Sequence, residues 1–116
     1  MKKETKNMVQ KYSKEALQLK KDISGVKMFA VSLEKTMLTY FEAEMNCRFE
    51  KHCHESEQIT MVLEGELYFE AKNKVIHLIS GEPIAIPSNI EHAVFTKELP
   101  VKAVDAWSPI RGIYKE

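Results

Sequence analysis

The sequence predicts an all-β protein of one domain, in which short antiparallel strands form a sandwich or barrel. From Gly25 onward, short segments alternate between apolar and polar residues and are separated by polar turns. Three of the four histidines lie in two of these segments, 48–67 and 81–95, where they can meet across a sheet. A length of 116 residues suits a single domain that buries its own core.

Residues 1–24 form a predicted N-terminal extension, and the barrel is predicted over residues 25–116. The extension is rich in lysine, but acidic residues dilute its charge and no second basic cluster follows. We therefore expect an arm that lies against the barrel or across a dimer, and not a docking element for nucleic acid. Its apolar residues are loosely spaced as in an amphipathic helix, namely Met8, Val9, Tyr12, Ala16, Leu17 and Leu19.

The barrel strands are predicted from alternating apolar residues and from the turns between them. A turn is expected at Glu34-Lys35 and a hairpin around Lys72-Asn73. The apolar run 59–63 ends in Glu64-Gly65, which predicts a tight turn and a further hairpin. Besides the strand that carries the first histidines, the predicted strands are 26–33, 36–45, 59–63, 75–79, 81–87, 92–96 and 101–107.

His52 and His54 lie one residue apart in a predicted strand. Because side chains alternate between the two faces of a strand, both imidazoles point to one face. Counting by twos from His54 reaches Gln58, which becomes the candidate oxygen ligand. Glu57 has the opposite parity, and only a bend at residues 55–56 would bring it to the site, so it is a reserve candidate.

The spacing in both histidine segments resembles the two motifs of the cupin family, Gly-x5-His-x-His-x3,4-Glu-x6-Gly and Gly-x5-Pro-x-Gly-x2-His-x3-Asn. The resemblance implies a cupin double-stranded β-helix, also called a jelly-roll barrel. It implies too that His92 lies beside the ligands of the first motif. Six residues separate Gln58 from Gly65, so motif spacing selects Gln58 as strand parity does. The matching positions are Asn46, His52, His54, Gln58 and Gly65, then Gly81, Pro87, Asn89, His92 and Thr96.

The sequence departs from the cupin motifs at four positions. Asn46 and Asn89 replace glycines, and asparagine tolerates a left-handed backbone better than other residues with a side chain. Gln58 replaces the usual glutamate, which removes a negative charge and lowers the expected affinity for a cation. Thr96 replaces an asparagine at a position that touches no expected ligand.

Three imidazoles and an amide oxygen predict a site for one divalent transition-metal ion. Such ligands suit iron, nickel, manganese, copper or zinc, whereas calcium and magnesium prefer cages of oxygen atoms. Four protein ligands in a cupin leave one or two coordination positions for water or substrate. His77, the fourth histidine, has no such neighbours in the sequence and is expected to be structural.

The C-terminal segment VDAWSPIR, residues 104–111, resembles the Asp-x-Phe-Ser-Pro-x-Arg ending of the pectin-degradation cupins. Those enzymes convert cyclic 4,5-unsaturated uronates into the linear keto form. The resemblance implies that Asp105 is the acid/base, that Arg111 binds the substrate carboxylate through its forked guanidinium, and that Trp107 lies where the family has phenylalanine. The residues alone also allow a structural reading, with an Asp105–Arg111 salt bridge and Trp107 in the core.

Composition excludes some classes of partner. The formal net charge is zero and the pI is near neutral, which argues against binding nucleic acid or an anionic membrane. No apolar run approaches the length of a membrane span or a signal-peptide core, so we expect a cytoplasmic protein. Cys47 and Cys53 are then expected to be free thiols, with the Cys53 side chain directed away from the metal face.

Three functions fit the sequence. The first is a metal-dependent enzyme acting on a small carboxylated sugar-like substrate, as a ring-opening isomerase or hydratase. The second is a metal-dependent dioxygenase, and the third is a non-catalytic module that binds a sugar or another metabolite. A homodimer is expected in each case, because small cupins pair their barrels through an edge strand and an exposed edge needs covering.

Overall fold

The computed structural model describes residues 8–21 and 24–111. Within these residues the only helical element is a 3-10 turn, and no helix is long and apolar enough to cross a membrane. The strands of the described chain are β1 (Lys20–Lys21), β2 (Val26–Ser32), β3 (Met37–Ala43), β4 (Arg48–His52), β5 (Glu57–Ala71), β6 (Lys74–Ile79), β7 (Pro83–Ile86), β8 (His92–Phe95) and β9 (Val101–Ser108).

The strands form a curled antiparallel sheet in the order β1-β2-β3-β9-β5-β8-β4, and β6 and β7 also pair with β5. The long strand β5 organises this sheet. Its first half pairs with β7 and β9, and its second half pairs with β6 and β8. The two halves of the barrel therefore share one strand, and the predicted all-β jelly roll is confirmed.

Alternating side chains fill the inside of the barrel, as the sequence predicted. On β3 and β9 every second residue is buried, so one face of each strand lines the core and the other faces outward. Most of the inward-facing residues are apolar, but Thr39 on β3, Thr60 on β5 and Asp105 on β9 place buried polar groups among them. The core cluster includes Val26, Phe41, Val62, Leu67, Phe69, Leu78, Ile86, Val94, Val101 and Ala103.

The turns depend on residues that tolerate a positive φ. Lys72 and Asn73, with φ of 51° and 64°, connect β5 to β6 and confirm the predicted hairpin. Asn46 and Asn89 have φ of 56° and 62°, which is the left-handed backbone expected where cupins have glycine. The two motif asparagines therefore preserve the backbone conformation that the motif glycines provide.

The hairpin predicted at Glu64-Gly65 is wrong, because β5 continues through both residues. The pairing of β5 with β9 shifts between Val62 and Glu64, which marks a β-bulge instead of a turn. Gly65 has φ of 87°, and a Cβ placed there would overlap the carbonyl oxygen of Pro100. The glycine thus lets the strand bend from one half of the barrel to the other where two backbones touch.

We expect Gly65→Ala to destabilise the fold far more than Gly81→Ala. Gly81 also has a positive φ, of 90°, but a Cβ there would meet no atom within 4 Å. Gly81→Ala therefore measures backbone strain alone, at about 1–2 kcal/mol. Gly65→Ala adds a steric overlap with backbone that cannot move aside, and we expect at least about 2 kcal/mol more. Urea unfolding of both variants tests this, and equal losses would contradict it.

The helix predicted in the N-terminal extension is wrong for residues 8–21. This segment contains only the 3-10 turn Lys14–Ala16, and Met8 and Val9 are exposed. A short amphipathic helix needs a surface against which to pack, and here the extension instead pairs Lys20 and Lys21 with the edge of β2. The described part of the extension therefore meets the barrel through the pairing of Lys20 and Lys21 with β2. Residues 1–7 and 22–23 of the predicted extension, and residues 112–116 of the predicted barrel domain, fall outside the described residues.

Candidate metal centre

The three predicted histidines meet at one place inside the barrel. His52 ends β4 and His92 begins β8, and the two residues are direct cross-strand partners. His54 follows β4 by two residues, and its ring centroid lies 5.1 Å from that of His92. One ring nitrogen from each histidine lies within 4.8 Å of the others. These three residues could hold a metal ion.

His54 does not lie in a strand, which differs from the prediction. β4 ends at His52, and residues 53–56 form a loop before β5. Side-chain and backbone hydrogen bonds hold this loop: the Asn89 N–H donates to the His54 carbonyl at 2.8 Å, and the Ser56 hydroxyl donates to the Pro109 carbonyl at 2.6 Å. The loop is therefore tied to the turn of the second motif and to the C-terminal segment.

Hydrogen bonds at Nδ1 decide how the imidazoles are oriented. His52 Nδ1 lies 2.8 Å from the Glu50 carbonyl oxygen, and His54 Nδ1 lies 2.9 Å from that of Ser56. His92 Nδ1 lies 2.8 Å from the carbonyl oxygen at position 90. A carbonyl only accepts, so each Nδ1 carries a proton and each neutral ring presents an Nε2 lone pair. This is the arrangement of metal-binding histidines whose second nitrogen is held by the protein.

Burial favours the neutral, cation-binding form of two of these imidazoles. Burial lowers the pKa of His54 and of His92, and the positive charge of Arg111 is a further cause in both cases. His92 is 1% exposed, and its Nε2 has no hydrogen-bond partner among the described residues. A buried acceptor without a donor is costly, and a metal ion at this position would satisfy it.

Gln58, not Glu57, faces the histidines. A bend does occur at residues 55–56, but β5 starts at Glu57 with that side chain exposed and the next one buried. Gln58 Oε1 lies 3.1 Å from His54 Nε2. Two ligand atoms at right angles around a metal, with bonds of about 2.1 Å, lie about 3.0 Å apart. The distance between amide oxygen and imidazole therefore suits two neighbouring ligands of one ion.

A buried relay of hydrogen bonds fixes the direction of the Gln58 amide. The Trp107 indole N–H donates to Thr39 Oγ1 at 2.8 Å, and the Thr39 hydroxyl donates to Asp105 Oδ2 at 2.8 Å. Thr60 Oγ1 donates to Asp105 Oδ1 at 2.5 Å and accepts from Gln58 Nε2 at 2.8 Å. Because the amide nitrogen is used by Thr60, the amide oxygen must face the histidines.

Asp105 is the buried carboxylate at the centre of this relay. It is 6% exposed, and burial raises the pKa of its carboxyl to about 6, although hydrogen bonds from both threonines and Gln58 act in the opposite direction. The group can therefore exchange a proton near neutral pH. Its two oxygens accept from threonine hydroxyls, as described above.

Trp107 and Arg111 lie on the C-terminal side of the site. Trp107 shares the inner face of β9 with Asp105, as parity predicted, and its ring lies edge-on to His54 at 5.2 Å between centroids. The Arg111 guanidinium lies 5.6 Å from the Trp107 ring, and it is close enough to influence both His54 and His92. The tail thus carries a positive charge to the histidine cluster.

One cavity connects these groups. Its polar lining consists of His52, His92, Gln58, Asp105 and Trp107. The rest of the lining is apolar and comes from the barrel core. Three of the four predicted metal ligands, His52, Gln58 and His92, therefore face the same internal space as the predicted acid/base Asp105.

Thr39 and Thr60 were missed by sequence reasoning. Both are fully buried, with 0% exposure, and both contact Asp105. A signal was present, because Thr60 has the same parity as Gln58 and Thr39 alternates with the apolar residues of β3. A polar residue on the inner face of a strand needs a buried partner, and the sequence does not name that partner.

We expect Thr60→Val to weaken metal binding by about 10- to 100-fold, because it removes the acceptor that orients the Gln58 amide. Thr60→Ser keeps the hydroxyl and should bind metal as the wild type does. Competition with a chromogenic chelator measures the affinities, and a thermal melt checks the fold. If Thr60→Val binds metal normally while folded, the relay does not orient a ligand.

Known proteins that resemble this chain identify its family. The cupin domain family matches residues 40–107. The acireductone dioxygenase of Rattus norvegicus is 31% identical over 70 residues, which are 56% of this chain and 39% of that protein. That of Yarrowia lipolytica is 33% identical over 57 residues, 45% of this chain and 33% of that protein. The chain therefore matches well under half the length of these curated relatives.

Solved structures share the fold at low sequence identity. KdgF from Halomonas sp. superimposes with a TM-score of 0.86 and 18% identity, covering 93% of this chain and all of that one. An RmlC-like cupin from Shewanella frigidimarina gives a TM-score of 0.82 and 18% identity, covering 90% and 94% of the two chains. The histidine cluster, the barrel and the matched residues 40–107 lead to one conclusion: the chain belongs to the cupin family.

Proposed function

We propose that the protein is a metal-dependent enzyme that binds one divalent transition-metal ion and acts on a small carboxylated molecule. The observation that carries this proposal is that two histidines of the cluster, His52 and His92, line the same cavity as the buried Asp105 carboxylate. An ion-binding site that served only structure would not need a proton-exchanging group beside it. His52, His54, His92 and Gln58 would hold the ion.

A bound ion would act as a Lewis acid that polarises a substrate oxygen. The side chains of the protein would supply proton transfer and substrate binding. Asp105 would take or give a proton at a carboxylate oxygen, and the threonine relay holds that carboxylate in place. Arg111 would bind the substrate carboxylate, and Trp107 would form the wall between the two.

Proton transfer is the reaction that this arrangement supports best, as in a ring-opening isomerase or a hydratase. The likeness of residues 104–111 to the ending of the uronate-linearising cupins supports the same class. A dioxygenase is the second candidate, favoured by the 31% identity with acireductone dioxygenase over 70 residues. A non-catalytic module that binds a metabolite is the third candidate.

Two assays on the metal-loaded protein distinguish these functions. Protein reconstituted separately with iron, nickel, manganese, copper or zinc is incubated with small carboxylated enols and unsaturated uronates, and product is followed by NMR. An oxygen electrode runs in parallel. Isomerised or hydrated product without oxygen uptake supports the proposal, and oxygen uptake coupled to substrate loss identifies the dioxygenase. Ligand-dependent stabilisation without any product would leave only the binding module.

A further inference from the structure

We propose that the part of the substrate that enters the barrel is apolar, as a short alkyl chain or a single aromatic ring. This inference rests on the proposed function, since it concerns the same cavity. It departs from the sugar-like substrate that the sequence suggested by resemblance. The polar atoms of the substrate would lie only at the metal side of the cavity.

The walls of the cavity carry the inference. Beyond the polar group around the histidines, side chains from five strands form an apolar surface. Phe41 and Phe49 meet edge to face, with ring centroids 6.1 Å apart, so part of the wall is aromatic. This surface favours alkyl or aryl groups, because each removes water from apolar side chains. The apolar lining is Val26, Met28, Phe41, Phe49, Phe69 and Val94.

Apart from the histidine Nε2 atoms on the metal side, the polar side chains of the cavity already have hydrogen-bond partners. Both Asp105 oxygens accept threonine hydroxyls, the Trp107 N–H donates to Thr39, and Gln58 Nε2 donates to Thr60. Each histidine Nδ1 is hydrogen-bonded to a backbone carbonyl. A polyhydroxylated group pushed into the barrel would therefore lose its water without gaining comparable partners, and each such hydroxyl would weaken binding by about 10-fold or more.

Met28 and Phe49 line the cavity from two separate strands. Met28 lies on β2 and Phe49 on β4, strands that are far apart in the strand order, yet both half-buried side chains line this space. Both side chains therefore form part of the cavity wall. A flexible methionine can adapt to an alkyl or aryl group, and neither side chain offers a hydrogen bond to a hydroxyl.

A series of hydroxamates tests this inference, because they share one metal-binding head and differ only in the group attached. Acetohydroxamate, hexanohydroxamate, benzohydroxamate and gluconohydroxamate are titrated into the metal-loaded protein by calorimetry. The hexano and benzo compounds should bind about 10- to 100-fold more tightly than the aceto compound, since each buried methylene adds several-fold. Gluconohydroxamate should bind more weakly than acetohydroxamate.

Substitutions in the apolar lining test whether these side chains cause the preference for alkyl and aryl groups. Phe49→Asn should reduce the preference for the hexano and benzo compounds, and Met28→Gln, of similar shape, provides the same test if Phe49→Asn does not fold. Phe95→Ala removes an aromatic ring that stacks against Tyr68, away from the cavity lining, and should keep the preference.

Equal affinities across the hydroxamate series, or tightest binding of gluconohydroxamate, would overturn the inference while the metal site stands. Failure of every hydroxamate to bind protein whose metal content has been verified would show that the ion offers no open coordination position, and would reject the proposed function instead.

Discussion

Replacing His92 with alanine should abolish stoichiometric metal binding. His92 is buried, and its Nε2 has no hydrogen-bond partner among the described residues, so a metal ion is the natural partner of that atom. Changes to groups that only orient a metal ligand already cost about 10- to 100-fold in affinity, so loss of a ligand itself should cost more. Metal content after purification without an affinity tag, measured by mass spectrometry, gives the result directly.

The stability of the protein provides a second measurement of the same change. At a free metal concentration of about 100 times Kd, a bound ion adds about 2.7 kcal/mol to the free energy of unfolding. The wild type should therefore melt at a higher temperature with metal, and His92→Ala should not respond. His77→Ala is the matched control, because His77 is exposed and pairs with Glu66 outside the cluster. Equal metal content in wild type and His92→Ala would reject the site.

Asp105→Asn should lower turnover by about 10²- to 10⁴-fold and leave metal bound. The amide has the shape of the carboxylate but cannot take a proton at the substrate. It can keep its oxygen toward the Thr60 hydroxyl, so the direction of the Gln58 amide is preserved. Turnover is compared at equal metal occupancy. Unchanged turnover would remove Asp105 from the reaction, and loss of metal would assign it to the structure of the site.

The same substitution should change how stability depends on pH. Burial raises the pKa of Asp105 from 3.8 to about 6, so the folded protein holds this proton more tightly than the unfolded chain does. The wild type therefore loses stability from this group as pH rises from about 4 to above 6. Relative to wild type, metal-free Asp105→Asn should gain about 2–3 kcal/mol between pH 4 and pH 7. Urea unfolding with a chelator present tests this, and a difference that does not vary with pH would contradict it.

Much of the fold was predictable, because alternation of side chains is a local property. The strand positions, the Lys72-Asn73 hairpin and the inward direction of Asp105 and Trp107 follow from a period of two residues. The hairpin predicted at Glu64-Gly65 was wrong for a reason that depends on distant parts of the chain. Whether glycine ends a strand or bends it depends on what lies beside it, and here Pro100 and β9 approach from far along the chain.

In the candidate site, too, local spacing was predictable and contacts between distant strands were not. Motif spacing selected three histidines that the fold brings within 4.8 Å of one another, and parity selected Gln58 over Glu57 even though a loop interrupts the strand. The relay through Thr39 and Thr60 could not be read from the sequence, because its members come from three separate strands. A threonine on an inner face indicates only that some partner exists.

The sequence by itself determined the all-β barrel, the family and the identity of the histidines, since each depends on short-range spacing that the backbone geometry converts directly into position. Only the tertiary structure decided which way the Gln58 amide points, that burial raises the pKa of Asp105 to about 6, and that much of the cavity wall is apolar. These properties arise from hydrogen bonds, burial and packing between strands that are distant in sequence. They become fixed only when the barrel closes around them.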